Sequence, residues 1–210
     1  DAVSELPGND YRFIMSLGDQ AFDLLEINAP YINVMSHAGS PVYNVPGNHD
    51  RNYLATDDAG SLETFKRDFG PRYYSFDYGQ VHFIVLDGIG HYIEDGKPKY
   101  KHALDEAQLV WLKNDLAYVS DDKLVVFAIH PSLMVCEGLD RVFEMLEGHP
   151  RVLALAGHHH RIEQTFASSE QGWKDGVFHN IICGAACGEW WHGPADQREI
   201  PICDSQAGSP

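Results

Sequence analysis

Short apolar runs alternate with longer amphipathic stretches along most of the chain. Four runs have the length and composition of buried strands, at residues 11–17, 41–45, 123–129 and 151–156. Three longer stretches, 22–36, 104–116 and 138–147, predict helices, and the leucines of 104–116 are near the apolar spacing of one helical face. Such alternation is typical of β-α-β units, so we expect a mixed α/β fold.

Other segments complete this outline. Residues 73–77 and 81–87 flank a turn at 78–80 and predict a hairpin, and 177–183 predicts a further strand. Segments 89–100 and 184–210 are rich in Gly, Pro and polar residues and are predicted to be long loops. We interpret residues 1–184 as the main domain and 185–210 as a loop or linker toward an absent C-terminal domain.

The charge balance excludes some functions. Fifteen Lys and Arg stand against 31 Asp and Glu, which gives a formal net charge of -16. A nucleic-acid backbone would be repelled by this charge, so we expect no binding to it.

No membrane span is expected either. The longest apolar stretches, 124–129 and 152–156, are much shorter than the roughly 18 residues that a spanning helix needs. The chain begins at Asp1 without a basic and apolar leader, so we expect that any targeting segment has been removed or was never included. Localisation is open, with a periplasmic or secreted location favoured over a cytoplasmic one.

Each predicted buried strand ends in polar residues. These are, in chain order, Gly18-Asp19, Gly47-Asn48-His49-Asp50, His130 and Gly157-His158-His159-His160. Singly, Asp19 is typical of a helix N-cap, Asn48 of a turn, and His130 of a hydrogen-bonded, half-buried histidine. Because ligands bind at the carboxyl ends of strands in α/β sheets, the four clusters together predict one site.

The residue types at these strand ends indicate a metal site. Carboxylate and amide oxygens together with imidazole nitrogens suit Zn, Mn or Fe. His158 and His160 are one residue apart, so in extended backbone their side chains would point the same way and could face neighbouring metals. His159 would then point away.

The chain resembles the calcineurin-like metallophosphoesterase superfamily. The motifs that carry the resemblance are Leu17-Gly18-Asp19, Val45-Pro46-Gly47-Asn48-His49-Asp50, Ala128-Ile129-His130-Pro131 and Gly157-His158-His159-His160. They occur in the family's order and at similar spacing. The C-terminal region looks like the exit from the catalytic domain in bacterial members that carry an extra domain.

The resemblance implies a four-layer α/β/β/α sandwich of two mixed sheets with a dinuclear metal centre. Two divalent ions, Zn, Mn or Fe, are expected in the complete protein. Asp19 would bridge them. Asn48, His130 and His158 would complete one metal site, and His160 would belong to the other.

The same resemblance implies two catalytic residues. His49 would lie beside the leaving-group oxygen, as an acid or as an electrostatic stabiliser. Asp23, four residues after Asp19, would orient His49. The expected reaction is hydrolysis of a phosphomonoester or phosphodiester by a metal-activated water.

One family element is absent from the 210 residues. The family's first metal-binding pair, Asp-x-His, should precede Gly18-Asp19, but the sequence contains no Asp-x-His. We therefore expect a fragment that lacks the first strand of the domain and binds at most one metal tightly, with doubtful turnover. Unpaired sheet edges would favour self-association.

Two other functions remain open at this point. The alternative to a hydrolase is a catalytically silent module that binds a metal or a partner protein. Retention of His49 argues against it, since a scaffold has no use for a histidine next to the scissile bond. A third, weaker hypothesis is a sugar- or nucleotide-binding module that stacks its ligand on Trp190 and Trp191.

Overall fold

The computed structural model describes residues 11–185 and Gln197, which form a mixed α/β fold. The strands are β1 (Ile14–Ser16), β2 (Val42–Asn44), β3 (Tyr74–Tyr78), β4 (Val81–Leu86), β5 (Ile89–Glu94), β6 (Lys97–His102), β7 (Leu124–Ile129), β8 (Arg151–Ala156), β9 (Glu163–Phe166) and β10 (Val177–Ile182). The α-helices are α1 (Asn28–Met35), α2 (Asp58–Ser61), α3 (Glu63–Phe69), α4 (Glu106–Leu116) and α5 (Leu139–Met145). Short 3-10 helices occupy Leu25–Ile27, Ser36–Ala38, Leu133–Val135 and Ser169–Gln171.

Two sheets supply the framework of the site. A six-stranded sheet has the order β3-β4-β7-β8-β10-β9, in which β4, β7, β8 and β10 are parallel and the two edge strands are antiparallel. Strands β1 and β2 form a parallel pair, because the helical crossover through α1 brings the chain back in the same direction. The carboxyl ends of the parallel strands in each sheet therefore share an edge.

The large sheet is covered on both faces. Helices α4 and α5 pack against one face through residues such as Leu112 and Phe143. On the other face, Phe13 meets Phe83 edge-on at 5.3 Å and Tyr43 stacks on Phe76 at 4.0 Å between ring centroids. Coverage on both faces explains why β7 is an apolar run with no alternation.

Helix α1 completes the fourth layer. The Tyr31 hydroxyl donates to Asn44 Oδ1 in β2 at 3.4 Å, so α1 lies on the outer side of the small sheet. The order of layers is therefore helix, small sheet, large sheet, helix, and the predicted α/β/β/α fold class is confirmed.

Segment 89–100 is not the predicted loop. It forms most of an antiparallel hairpin, β5 and β6, whose tip is Asp95-Gly96. Both tip residues have positive φ, 50° and 72°, as a two-residue hairpin turn requires. The Asp-Gly signal was present in the sequence, but the polar composition around it favoured a loop.

The predicted helix over 22–36 begins later than expected. Asp23 has a φ of 59°, which a right-handed helix does not accommodate, and α1 starts only at Asn28. The other predicted helices keep their positions with trimmed ends. In α4, for example, Asp105 is the N-cap and accepts a hydrogen bond from the Gln108 amide.

Some predictions fall outside the described residues. These are the absent leading strand, the linker beyond Ala185 except for Gln197, and the pair Trp190 and Trp191. Within the described ranges, no helix is both long and apolar enough to cross a bilayer.

Candidate metal centre

Two glycines allow the strand-end loops to approach each other closely. A Cβ atom on Gly18, which follows β1 and has a φ of 99°, would lie 2.4 Å from His130 Nδ1. A Cβ atom on Gly47 would lie 2.1 Å from Asp19 Oδ1. Both distances are impossible contacts, so glycine is required at each position for Asp19 and His130 to occupy the same space.

His130 is the centre of the cluster. Its ring follows β7 and is 2 % exposed. Nδ1 lies 2.7 Å from the Leu17 carbonyl oxygen. A carbonyl can only accept, so Nδ1 carries a hydrogen and, in the neutral ring, Nε2 carries a lone pair.

Three further side-chain atoms surround His130 Nε2. Asp19 Oδ2 lies at 3.0 Å, Asn48 Oδ1 at 3.1 Å and His158 Nδ1 at 3.1 Å. The predicted convergence of these four strand-end side chains is thus observed in space.

This donor set fits a divalent cation. Asp19 Oδ2 and Asn48 Oδ1 can only accept, so a hydrogen on either ring nitrogen leaves part of the group unsatisfied. A cation among them could be coordinated by all four side chains. The ligand atoms of Asp19, His130 and His158 lie within 4.8 Å of one another. One carboxylate, one amide oxygen and two imidazoles are the oxygen and nitrogen ligands that Zn, Mn or Fe accept.

The charge states of Asp19 and His158 agree with this fit. Burial would lower the pKa of His130, but the hydrogen bond and charge of Asp19 outweigh it and raise that pKa, so a cation would have to displace a proton there. Burial raises the pKa of Asp19, but the hydrogen bond and charge of His130 outweigh it, and the pKa is lowered overall. Burial, and then the charges of His130 and His102, lower the pKa of His158 to about 3. Asp19 is therefore ionised and His158 neutral near pH 7, which are the forms that bind metal.

Asp50 is a site residue to which the sequence analysis assigned no role. It is 1 % exposed and accepts three backbone hydrogen bonds, from the amides of Asp19 at 2.9 Å, Gly47 at 2.8 Å and Ala21 at 2.9 Å. Burial raises its pKa to about 6, although the bonds from Ala21 and Gly47 oppose the shift. Asp50 joins the loop after β1 to the loop after β2. Its position in the Gly-Asn-His-Asp motif was the sequence feature that could have pointed to this role.

His49 and Asp23 form a pair at the margin of the cluster. His49 Nδ1 lies 2.9 Å from Asp23 Oδ1. The Asp23 amide donates to the His49 carbonyl at 3.2 Å, and the His49 amide donates to Asp19 Oδ1 at 3.1 Å. Phe22 stacks on the His49 ring at 4.7 Å. With Nδ1 held by Asp23, Nε2 is the ring atom that remains to act on a substrate.

Left-handed backbone is concentrated at this site. Asp19, Asp23, His158 and His160 have φ values of 57°, 59°, 64° and 50°, which non-glycine residues rarely adopt. Such strain persists only where the surrounding structure enforces it, and it clusters at functional sites.

The extended backbone expected at His158 and His160 is therefore wrong. Strand β8 ends at Ala156, and each of the two histidines turns separately. His158 joins Asp19 and His130 at ligand distance, whereas His160 lies outside that group. The charges of Asp19, His130 and His49 still act on the pKa of His160, which burial lowers overall.

The sequence profile described as calcineurin-like phosphoesterase matches residues 1–161. The chain belongs to this family. A probable glycerophosphodiester phosphodiesterase of Arcobacter nitrofigilis is 28% identical over 142 residues, which cover 60% of this chain and 47% of the relative. A probable inactive purple acid phosphatase of Arabidopsis thaliana is 26% identical over 190 residues, covering 80% of this chain and 26% of the relative.

Solved structures support the family's fold. A purple acid phosphatase from yellow lupin seeds superposes with a TM-score of 0.63 at 15% identity, covering 87% of this chain and 38% of the lupin chain. The chain thus spans less than half the length of the two curated relatives and of this structural neighbour.

Proposed function

We propose that this site hydrolyses small phosphomonoesters or phosphodiesters with a metal-activated water. The observation that carries the proposal is the arrangement around His130 Nε2, where side-chain atoms of Asp19, Asn48 and His158 meet one ring nitrogen. The name of the bacterial relative, a probable phosphodiesterase, supports a phosphoester as the substrate.

Four side chains would bind the metal ion. Asp19, Asn48, His130 and His158 would hold a divalent ion of Zn, Mn or Fe. Such an ion would supply a lowered pKa for a bound water and positive charge for the phosphoryl oxygens. The Leu17 carbonyl fixes the tautomer of His130, as a hydrogen-bond partner of a ligating histidine commonly does.

A second ion would share Asp19 and use His160. The donor set for this position is less complete among the described residues, and the family's Asp-x-His pair is absent from the sequence. We therefore propose that one ion is held more tightly than the other.

His49 would serve the leaving group. Asp23 accepts from Nδ1, which leaves Nε2 to give a proton to the departing oxygen or to stabilise its charge. The plant relative is named a probable inactive phosphatase, which is the kind of protein that the silent-module alternative describes. The 2.9 Å pair between His49 and Asp23 disfavours that alternative. A scaffold needs no such oriented histidine.

The test uses the complete chain loaded with Zn or Mn, with chromogenic phosphomonoester and phosphodiester substrates. Replacing His49→Asn should lower kcat by about 10²- to 10⁴-fold, the range for losing a general acid, at unchanged metal content by elemental analysis. Full activity in this variant would refute the role of His49. A chain that holds both metals and still hydrolyses neither ester would instead favour the silent module.

A further inference from the structure

The two faces of the β5–β6 hairpin differ in character. In the hairpin register, His91 pairs with Tyr100 and Ile89 pairs with His102, so these four side chains share one face. The neighbouring pair, Tyr92 and Lys99, projects from the opposite face. Tyr92 and Tyr100 are equally exposed, at 38% each.

The face that carries Tyr100 and His102 borders the candidate metal centre. His102 meets His158 edge-on at 5.0 Å between ring centroids, and Tyr100 meets the same ring edge-on at 6.3 Å. His102 also lies 6.5 Å from His159. The hairpin therefore forms a wall beside the loop that supplies His158.

Two more aromatic residues adjoin the same space. The Tyr53 ring lies 5.7 Å between centroids from His91, which shares its hairpin face with Tyr100. Phe22 stacks on His49 and is 48% exposed, which leaves one side of its ring accessible. Phe22 therefore lies beside His49, on the proposed leaving-group side.

Electrostatics link the two tyrosines to that side. Burial, followed by the charge of Asp23, raises the pKa of Tyr53 to about 12. Burial, followed by the charges of Asp19 and Asp23, also raises the pKa of Tyr100. Both phenols are therefore neutral near pH 7, and they add no charge that would repel a phosphoester.

We propose that Phe22, Tyr53 and Tyr100 form a pocket for the organic group of the substrate and select esters whose alcohol carries a planar ring. The proposal rests on the proposed function, because it assumes that the phosphoryl group lies at the candidate metal centre. From there an ester oxygen directed toward His49 carries its organic group toward these three rings. Aromatic faces favour a planar ring over a saturated ring of similar volume through stacking and edge contacts.

The activity test compares 2-phenylethyl phosphate with 2-cyclohexylethyl phosphate. The two leaving alcohols have similar acidity and size, so the comparison isolates planarity. We expect kcat/KM to be about 5- to 10-fold higher for the phenyl ester, the scale of one or two aromatic contacts. Tyr100→Leu should bring the ratio close to one, whereas Tyr100→Phe should keep it. Tyr92→Leu, the equally exposed control on the opposite face, should leave the ratio unchanged.

A binding measurement separates this pocket from the chemistry of hydrolysis. Isothermal titration of the metal-loaded chain with 2-phenylethylphosphonate and 2-cyclohexylethylphosphonate needs no turnover. A preference for the phenyl compound that Tyr100→Leu removes would support the pocket, even if neither ester were hydrolysed and the proposed function failed. Equal affinities for the two phosphonates, or a preference that Tyr92→Leu reduces as much as Tyr100→Leu, would overturn the pocket, even with both esters hydrolysed.

Discussion

Two buried histidines lie at opposite ends of neighbouring parallel strands in the large sheet. His130 directly follows β7, and His82 is the second residue of β4, opposite Val125 at the start of β7. Each ring lies within 3.0 Å of a carboxylate oxygen. The two clusters nevertheless differ in whether hydrogens alone can satisfy them.

The His82 cluster is complete when the ring is protonated. Nδ1 lies 2.8 Å from Asp77 Oδ1 and Nε2 lies 2.9 Å from Asp115 Oδ2, so each ring nitrogen donates to its own carboxylate. Lys123 donates to the other Asp77 oxygen at 2.6 Å, and Ser75 donates to the other Asp115 oxygen at 2.6 Å. Two cations then face two anions.

The His130 cluster has too few hydrogens for its acceptors. One carboxylate, one amide oxygen and a second imidazole share the single position at Nε2. It also stands at the carboxyl ends of the strands, where ligands bind in open α/β sheets. The ratio of acceptors to available hydrogens, and not the presence of a histidine beside an aspartate, therefore separates a candidate metal site from a structural ion pair.

The largest expected effect concerns metal affinity when each of the two histidines is replaced in turn. His130→Ala should weaken Zn or Mn binding by more than about 100-fold, the upper range for changes that only touch the outer shell of a metal site. His82→Gln should leave the metal affinity unchanged, because both ring nitrogens of His82 are already paired with carboxylates. Isothermal titration with the metal alone measures both variants. An equal loss in the two variants would mean that the difference between the clusters has no bearing on metal binding.

A smaller effect concerns stability and pH at His82. Burial would lower the pKa of His82, but the hydrogen bonds to Asp115 and Asp77 outweigh it and raise the pKa above its usual 6.5. A raised folded-state pKa contributes stability that is fully present below 6.5 and is lost as the pH rises through the folded value.

The free energy of unfolding should therefore depend on pH differently in His82→Gln. The wild-type chain should exceed this variant by about 2 kcal/mol below about pH 6, as expected for hydrogen bonds to a charged group, and by less near pH 9. Urea unfolding at both pH values measures the difference. An advantage that grows with pH would show that His82 is buried as a neutral ring.

The sequence was sufficient for the fold class and for the convergence of Asp19, Asn48, His130 and His158. Strand-end placement carries that information across long separations, such as the 113 positions between Leu17 and His130. It did not reveal the role of Asp50, because three backbone amides from two loops define that role only after folding.

The remaining errors have different causes. Left-handed backbone at Asp23, His158 and His160 is imposed by tertiary contacts and opposes the local preference of these residues. Strand β9 was missed because four half-exposed residues at a sheet edge have little apolar pattern. The β5–β6 hairpin was missed because the polar composition around its Asp-Gly turn favoured a loop.

The most direct test is ¹⁵N NMR of the two histidine rings during titration of the complete chain with Zn. At neutral pH, His130 Nε2 should shift to the value of a metal-bound nitrogen while Nδ1 keeps its hydrogen toward Leu17. Both nitrogens of His82 should stay protonated with and without Zn. Retention of a hydrogen on His130 Nε2 at saturating Zn, or a metal-bound signal from His82, would contradict the assignment of His130 as the centre of the metal site.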